Sequence, residues 1–108
     1  MKINIGDYHK SGSKDRAVCV KIGRHDLWSL DCTLAMVIAP ALKEFKARKA
    51  GHPAQVTKKA WNDILDKMIF AFDIMAKGDH ISLCDKESDA LVTEGLRLFA
   101  EHYQSLWI

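Results

Sequence analysis

The chain has 108 residues, a hydrophobic fraction of 48% and a charged fraction of 28%. These values are those of an ordinary globular protein and exclude a fibrous or disordered one. A chain of this length supports one domain with one core, and it has no room for a separate catalytic domain. The longest apolar run without a charge, residues 32–42, is too short to cross a bilayer, so we expect no membrane segment.

Two features bear on where the protein works. Residues 1–7 contain no apolar signal-peptide core and no small-residue cleavage site, so we expect no secretion signal. The cysteines Cys19, Cys32 and Cys84 are odd in number and far apart, which argues against a disulfide framework. Both features predict a cytoplasmic protein.

The formal net charge of +2 is distributed unevenly along the chain. The local charge is +4 over residues 1–24, −2 over residues 25–42, +5 over residues 43–59 and −5 over residues 60–108. Such separation can create potentials that attract anions or orient subunits. The alternative is that lysines on a solvated helix end simply keep the protein soluble.

A β-hairpin is predicted over residues 1–24. Ile3 and Ile5 alternate with polar residues, and apolar residues alternate again over residues 18–22, which is typical of strands with one buried face. The polar, glycine-containing residues 10–14 between them predict the hairpin loop. Because two strands alone are marginally stable, the hairpin must pack on helices or pair with strands of another copy.

The next segment, residues 31–50, is predicted to form an amphipathic helix. Asp31 can accept hydrogen bonds from first-turn N–H groups as the N-cap, Pro40 predicts a kink, and Gly51 with Pro53 predicts the end. The apolar stripe that we expect this helix to bury consists of Leu34, Val37, Ile38, Ala41, Leu42 and Phe45.

Two further helices are predicted, over residues 57–77 and 85–106. Thr57 can cap the first of them, and Asp85 or Ser82 can start the second. The apolar stripe of the helix at 57–77 consists of Trp61, Ile64, Leu65, Met68, Ile69 and Phe72, extended by Met75 and Ala76.

The helix at 85–106 is apolar on more than one face, so its second face must be covered by a partner subunit or by its own monomer. The predicted fold is therefore α+β and predominantly α, with an N-terminal β-hairpin packed on three amphipathic helices in a single domain, residues 1–108.

Two carboxylates are the candidates for catalysis. Asp63 and Asp66 are three residues apart on a predicted helix, and paired carboxylates can hold Mg²⁺ for nucleotide hydrolysis. Asp63 also lies in a first helical turn, where the helix dipole favours acids in any case. The sequence contains no phosphate-binding glycine loop, CxxC, HExxH or EF-hand pattern, so we assign no metal site and no cofactor.

The basic stretch at residues 43–59 is the candidate for binding an anion. Trp28 or Tyr103 is the candidate stacking surface for a base, although for Trp28 the favoured interpretation is packing on the first turn of a helix. The acidic third helix would repel a nucleic-acid backbone, so we do not expect nucleic-acid binding. The basic residues that could meet a phosphate are Lys43, Lys46, Lys49, His52, Lys58 and Lys59.

Several blocks of the sequence resemble a family of small uncharacterised proteins encoded by tailed bacteriophages. The blocks are DLWSLDCTLA at 26–35, PALK at 40–43, KAGHP at 49–53, WNDILDKMIFAF at 61–72, and GLRLF with YQSLW at 95–107. Many family members carry a longer acidic, proline-containing insert after the histidine–proline turn, where this chain has only residues 54–56, and some have an acid at the position of Lys67. The resemblance implies a phage origin rather than an activity.

Small accessory phage proteins often disable a host enzyme or a signalling nucleotide, which is an analogy only. The favoured hypothesis is a non-catalytic, homo-oligomeric accessory protein of the host cytoplasm, with a role against host defence, that binds an anionic small molecule such as a signalling nucleotide. The alternatives are an inhibitor or adaptor of a host protein, and a Mg²⁺-dependent nucleotide hydrolase.

Overall fold

The structure, a computed structural model, describes residues 2–5, 18–49, 51–77 and 86–107. Within these residues a short antiparallel hairpin precedes four helices, which confirms the predicted α+β, mostly helical class. The elements are β1 (Lys2–Ile5), β2 (Val18–Lys21), α1 (Arg24–Trp28), α2 (Leu30–Arg48), α3 (Lys58–Lys77), α4 (Lys86–His102) and a 3₁₀ turn (Tyr103–Ser105). The expected hairpin loop at 10–14 and the expected helix starts at Ser82 and Asp85 lie outside the described residues.

The hairpin is a two-stranded antiparallel ribbon. Ile3 of β1 pairs with Val20 of β2 in an antiparallel register, as the alternation of apolar residues predicts. The buried side chains of the core cluster belong to α2, α3 and α4. That the hairpin packs on these helices stays a prediction.

The entry into α2 differs from the prediction that Asp31 is the N-cap. The short helix α1 precedes α2, and its start is closed by the Gly23 N–H, which donates to Asp26 Oδ2 at 2.7 Å. The Thr33 hydroxyl donates to the Asp26 carbonyl at 2.9 Å and so ties α1 to α2. Because α2 already begins at Leu30, Asp31 lies in its first turn, where a negative charge stabilises the helix dipole.

The face that α2 packs against α3 is not the stripe that the sequence favours. Of the six stripe residues, Leu42 alone is fully buried, whereas Leu34, Val37 and Ala41 are exposed. Small side chains at the contact let two helix backbones approach closely, which explains why a less hydrophobic face is the buried one. The buried residues of α2 are Cys32, Ala35, Ala39 and Leu42.

The central helix of the domain is α3, and its predicted stripe is confirmed. The largest fully buried side chains, Trp61, Leu65 and Met68, all belong to it. On one side α3 packs against α2, and on the other it packs against Val92 and Leu98 of α4. The sequence predicts this helix correctly because both neighbours cover one broad apolar face.

Because α2 and α4 pack on α3 from two sides, an apolar groove stays open between them. The groove encloses about 270 Å³. This α2–α4 groove is lined by Val37, Ile38, Ala41, Leu42, Phe45, Phe99 and Leu106.

Candidate functional site

A basic cavity lies where the chain passes from α2 into α3. It has a volume of about 430 Å³ and is lined by Lys49, Gly51, His52 and Lys58. Lys49 is the C-cap residue of α2 and Lys58 is the first residue of α3. The end of one helix and the beginning of the next therefore bring three basic side chains to one cavity.

Backbone and cap hydrogen bonds hold this connection in place. The Lys49 N–H donates to the Phe45 carbonyl at 2.9 Å, which closes the last turn of α2. The Val56 N–H donates to the Pro53 carbonyl at 3.2 Å and forms a turn in the middle of the connection. At its far end the Thr57 Oγ1 accepts from the Ala60 N–H at 3.1 Å, which confirms Thr57 as the predicted cap of α3.

The cavity is electropositive for two reasons. Lys49 and Lys58 are protonated amines at neutral pH, and the positive end of the α3 dipole lies at Lys58. The first turn of α3 contains no acidic residue that would offset this charge. His52 Nδ1 lies 3.0 Å from the Pro53 carbonyl oxygen, within hydrogen-bond distance.

A second cavity adjoins the first and is aromatic in character. It has a volume of about 300 Å³. Trp61 forms part of its wall and is almost fully buried, whereas the Trp107 side chain is 75% exposed. This tryptophan cavity is lined by Gly51, His52, Pro53, Ala54, Gln55, Trp61, Ser105 and Trp107. Since Gly51 and His52 line both cavities, the two are adjacent.

The carboxyl-terminal wall of the tryptophan cavity is fixed by the turn after α4. The Leu106 N–H donates to the Tyr103 carbonyl at 3.2 Å, and the Trp107 N–H donates to the Ser105 carbonyl at 3.0 Å. The His102 ring packs edge-on against Trp61, with 5.6 Å between ring centroids. These contacts fix the backbone at Trp107, whose exposed indole lines the tryptophan cavity.

The structure brings together three of the six basic residues predicted to bind an anion, namely Lys49, His52 and Lys58. Lys43 and Lys46 do not join them. The Lys43 Nζ lies 2.9 Å from Asp73 Oδ1 and the Lys46 Nζ lies 2.5 Å from Asp66 Oδ1, so both ammonium groups are paired with α3. The remaining residue, Lys59, is exposed and does not line the basic cavity.

Neither predicted stacking residue lies at the cavities. Trp28 is exposed on α1, and its ring contacts His25 edge-on at 4.5 Å. Tyr103 is exposed and contacts Phe99 edge-on at 5.4 Å, which places it beside the α2–α4 groove. The exposed aromatic residue that lines the adjacent cavity is Trp107, which the sequence favours only as part of a helix face.

The two candidate catalytic carboxylates lie in different surroundings. Asp66 is paired with Lys46, and Asp63 is exposed on α3. The prediction that Asp63 lies in the first turn is wrong, because α3 begins at Lys58 and its first turn contains no acid. Within the described ranges no three His, Cys, Asp or Glu side chains lie close enough together to hold a metal ion. The geometry around these carboxylates is therefore that of an ion pair and a solvated side chain.

The chain was compared with models of protein families, with curated proteins and with solved structures, and none of the three comparisons finds a match. In the part of the chain that the structure describes, none of the helices has both the length and the hydrophobicity that a bilayer span requires.

Proposed function

We propose that the chain is a non-catalytic accessory protein of a tailed bacteriophage that binds an anionic small molecule carrying an aromatic ring, such as a signalling nucleotide. It acts in the host cytoplasm against a defence signal and works as a homo-oligomer. The observation that carries the ligand proposal is that Gly51 and His52 line two adjacent cavities. One of these cavities has basic side chains and the other has an exposed indole.

The two cavities match the two halves of a nucleotide. Phosphate oxygens accept charge-assisted hydrogen bonds from Lys49 and Lys58, which are stronger than hydrogen bonds between neutral groups. A base stacks on the face of Trp107, a contact that depends little on the identity of the base. The volumes of about 430 and 300 Å³ are in the usual range of small-molecule sites, about 300–1,000 Å³.

Isothermal titration calorimetry tests the proposal with a panel of cyclic dinucleotides, cyclic ADP-ribose isomers and inorganic phosphate. We expect at least one nucleotide to bind and phosphate alone to bind much more weakly, because phosphate leaves Trp107 uncovered. No measurable heat across the panel would overturn the proposal.

Neighbouring lysines of α3 provide a matched pair of variants. Lys58→Glu reverses a charge that lines the basic cavity, whereas Lys59→Glu makes the same change one residue later, outside the cavity lining. Both variants alter the α3 dipole to a similar degree. Loss of a charge-assisted contact predicts a roughly 10- to 100-fold weaker affinity for Lys58→Glu and an effect smaller than about threefold for Lys59→Glu. Equal losses in both would contradict the assignment.

The aromatic half of the site has its own control. Trp107→Ala removes the indole at the tryptophan cavity, and Trp28→Ala removes an equally exposed indole on α1. Base stacking contributes about 1–3 kcal/mol, so we expect Trp107→Ala to weaken nucleotide binding by roughly 5- to 100-fold. We expect Trp28→Ala to leave it unchanged. A nucleotide affinity that is insensitive to Trp107→Ala would exclude this tryptophan from the site.

A further inference from the structure

The tryptophan cavity contains a carboxamide that neither the phosphate contacts nor the stacking contact of the proposed function uses. Gln55 lines this cavity and does not line the basic cavity. Its side chain is exposed, and within the described ranges it makes no hydrogen bond to another residue. A carboxamide holds an acceptor oxygen and a donor nitrogen side by side. Gln55 can therefore meet two neighbouring groups of a ligand at once.

The connection between α2 and α3 fixes the position of Gln55. It is the third residue of the turn that the Val56 N–H closes by donating to the Pro53 carbonyl at 3.2 Å. Val56 packs against the core, and the ring of Pro53 restricts the backbone at the start of the turn. Because both ends of the turn are held, only rotation of the Gln55 side chain is needed to place its amide against a ligand, which lowers the entropy cost of the contact.

From the chemistry of this cavity we infer that it selects adenine and that Gln55 is the specificity-determining residue. The inference rests on the proposed function, because it names the ring that stacks on Trp107. Glutamine forms a bidentate pair with adenine, in which the amide oxygen accepts from the N6 amino group and the amide nitrogen donates to N7. Stacking on Trp107 uses the face of the ring, so the edge of the base stays free for these two hydrogen bonds.

The other bases find a poorer set of partners in this cavity. The side chains that read guanine most often are Arg and Lys, at O6 and N7, and those that read cytosine are Asp and Glu. None of these four residue types is among the described residues that line the tryptophan cavity. Lys49 and Lys58 line the basic cavity instead, where the proposed function pairs them with phosphate. The Ser105 hydroxyl can donate or accept, so it does not distinguish one base from another.

Reversal of the Gln55 amide does not remove this preference. A reversed amide donates to O6 of guanine and accepts from N1–H, which leaves the N2 amino group to be paired separately. A carboxylate would accept from N1–H and N2–H together, but the described lining of the cavity contains none. Uracil can also meet the amide, but its single ring covers less of the Trp107 indole than a purine does.

Isothermal titration calorimetry with matched pairs of nucleotides tests the inference. The pairs are ADP with GDP, and cyclic di-AMP with cyclic di-GMP. Within each pair the phosphate charge and the size of the purine are the same, so a difference in affinity reports the edge of the base. In each pair that gives measurable heat, we expect the adenine member to bind roughly 5- to 100-fold more tightly.

Two variants of Gln55 separate base reading from a structural role of the turn. Gln55→Leu loses both hydrogen-bonding groups, and we expect the ratio of adenine to guanine affinity to fall to within about twofold of one. Gln55→Glu replaces the donor with a second acceptor, which suits N1–H and N2–H of guanine, so we expect the ratio to invert. The added negative charge weakens both members of a pair alike, so it does not change the ratio.

The matched control is Gln104→Leu. Gln104 is the other glutamine of the chain, and it is exposed and outside the lining of both cavities. We expect this variant to keep the affinity ratio of the wild type. Helical circular dichroism is expected to be the same in the wild type and all three variants, because both glutamine side chains are exposed.

The results distinguish this inference from the proposed function. Equal or tighter binding of the guanine members would overturn the inference while the nucleotide site stands, and so would a ratio that Gln55→Leu and Gln55→Glu leave unchanged. No binding by any member of the two pairs would also overturn the inference, and the remaining nucleotides of the panel then decide the proposed function separately.

Discussion

Gly95 of α4 lies directly against Ala71 of α3. A Cβ atom at Gly95 would be 2.2 Å from Ala71 Cβ and 2.9 Å from the Lys67 carbonyl oxygen. Neither of these atoms belongs to a flexible side-chain end, so the helices can accept the extra carbon only by moving apart. The spacing of the two helices is therefore set by the absence of a side chain at Gly95.

Gly95→Ala is accordingly expected to destabilise the fold. Alanine gains about 1 kcal/mol over glycine in helix propensity, but overpacking at a close helix contact outweighs that gain, and we expect a net loss of about 1–3 kcal/mol. Urea denaturation measures the difference. The control is Gly51→Ala, because a Cβ there meets no atom within 4 Å, and its change is expected within about 0.5 kcal/mol. Equal stability of the two variants would contradict the close packing.

Loss of the Thr57 cap is expected to weaken the start of α3. In Thr57→Ala the Ala60 N–H loses its side-chain acceptor, which costs about 1 kcal/mol. Thr57→Ser retains the hydroxyl and is expected to be close to wild type. Thermal unfolding by circular dichroism compares the three proteins. Since α3 begins at the basic cavity, nucleotide affinity is also expected to fall in Thr57→Ala and to recover in Thr57→Ser.

The pH dependence of stability is expected to include a contribution from Glu94. Hydrogen bonds from Arg97 to both its carboxylate oxygens, at 3.0 and 2.7 Å, hold the pKa of Glu94 below its ordinary value of 4.5. The folded state therefore binds this proton more weakly than the unfolded state. The stabilisation is complete at neutral pH and is lost as the pH falls below about 4.5 through the lowered pKa.

Melting temperatures measured from pH 7 to pH 3 test this contribution. Arg97→Met removes the donor, so the melting temperature of the variant is expected to fall less steeply in the acid range than that of the wild type. Arg97 also donates to Glu101 at 2.8 Å. The Glu101→Gln variant alters this second pair alone, so its acid profile shows how much the Glu101 pair contributes to the effect of Arg97→Met. Parallel acid profiles for Arg97→Met and the wild type would rule out a role for the Glu94 pair.

The thiol of Cys32 is expected to react slowly in the folded protein. Cys32 is buried on α2, and its burial, with a smaller effect of the Asp31 charge, raises the pKa of the thiol. Both access and thiolate fraction are therefore low. In a variant with serine at Cys19 and Cys84, we expect a thiol reagent to label Cys32 at least 10-fold faster in urea than in buffer. Equal labelling rates in urea and in buffer would mean that the Cys32 thiol is accessible in the folded protein.

The sequence predicts α3 well and α2 only in part, and the reason is physical. For α3, the most hydrophobic face is also the buried face, from Trp61 to Met75. For α2, the buried face is built largely on Ala35 and Ala39. Because alanine is only weakly hydrophobic, the sequence favours the more apolar stripe of the same helix as the buried face. Periodicity shows which residues share a face, but it does not show which face meets another helix.

The candidate site is predictable on its basic side and not on its aromatic side. Lys49, His52 and Lys58 are close in sequence and belong to one charged stretch, so their grouping follows from local structure. Trp107 is about fifty residues away, and it reaches the same place only through the packing of α4 on α3 and the 3₁₀ turn that follows. No short-range pattern of the sequence carries that information.

The small side chains at the α2–α3 contact have a consequence for how firmly α2 is held. An isolated copy keeps α2 in place with little apolar area, because its bulkier side chains point to the open face. A molecule bound to that face would also anchor the helix, so the protection of the α2 amides against solvent exchange is expected to rise on binding while that of α3 changes little. Ordering of α2 and binding on this face would then be measured as one equilibrium.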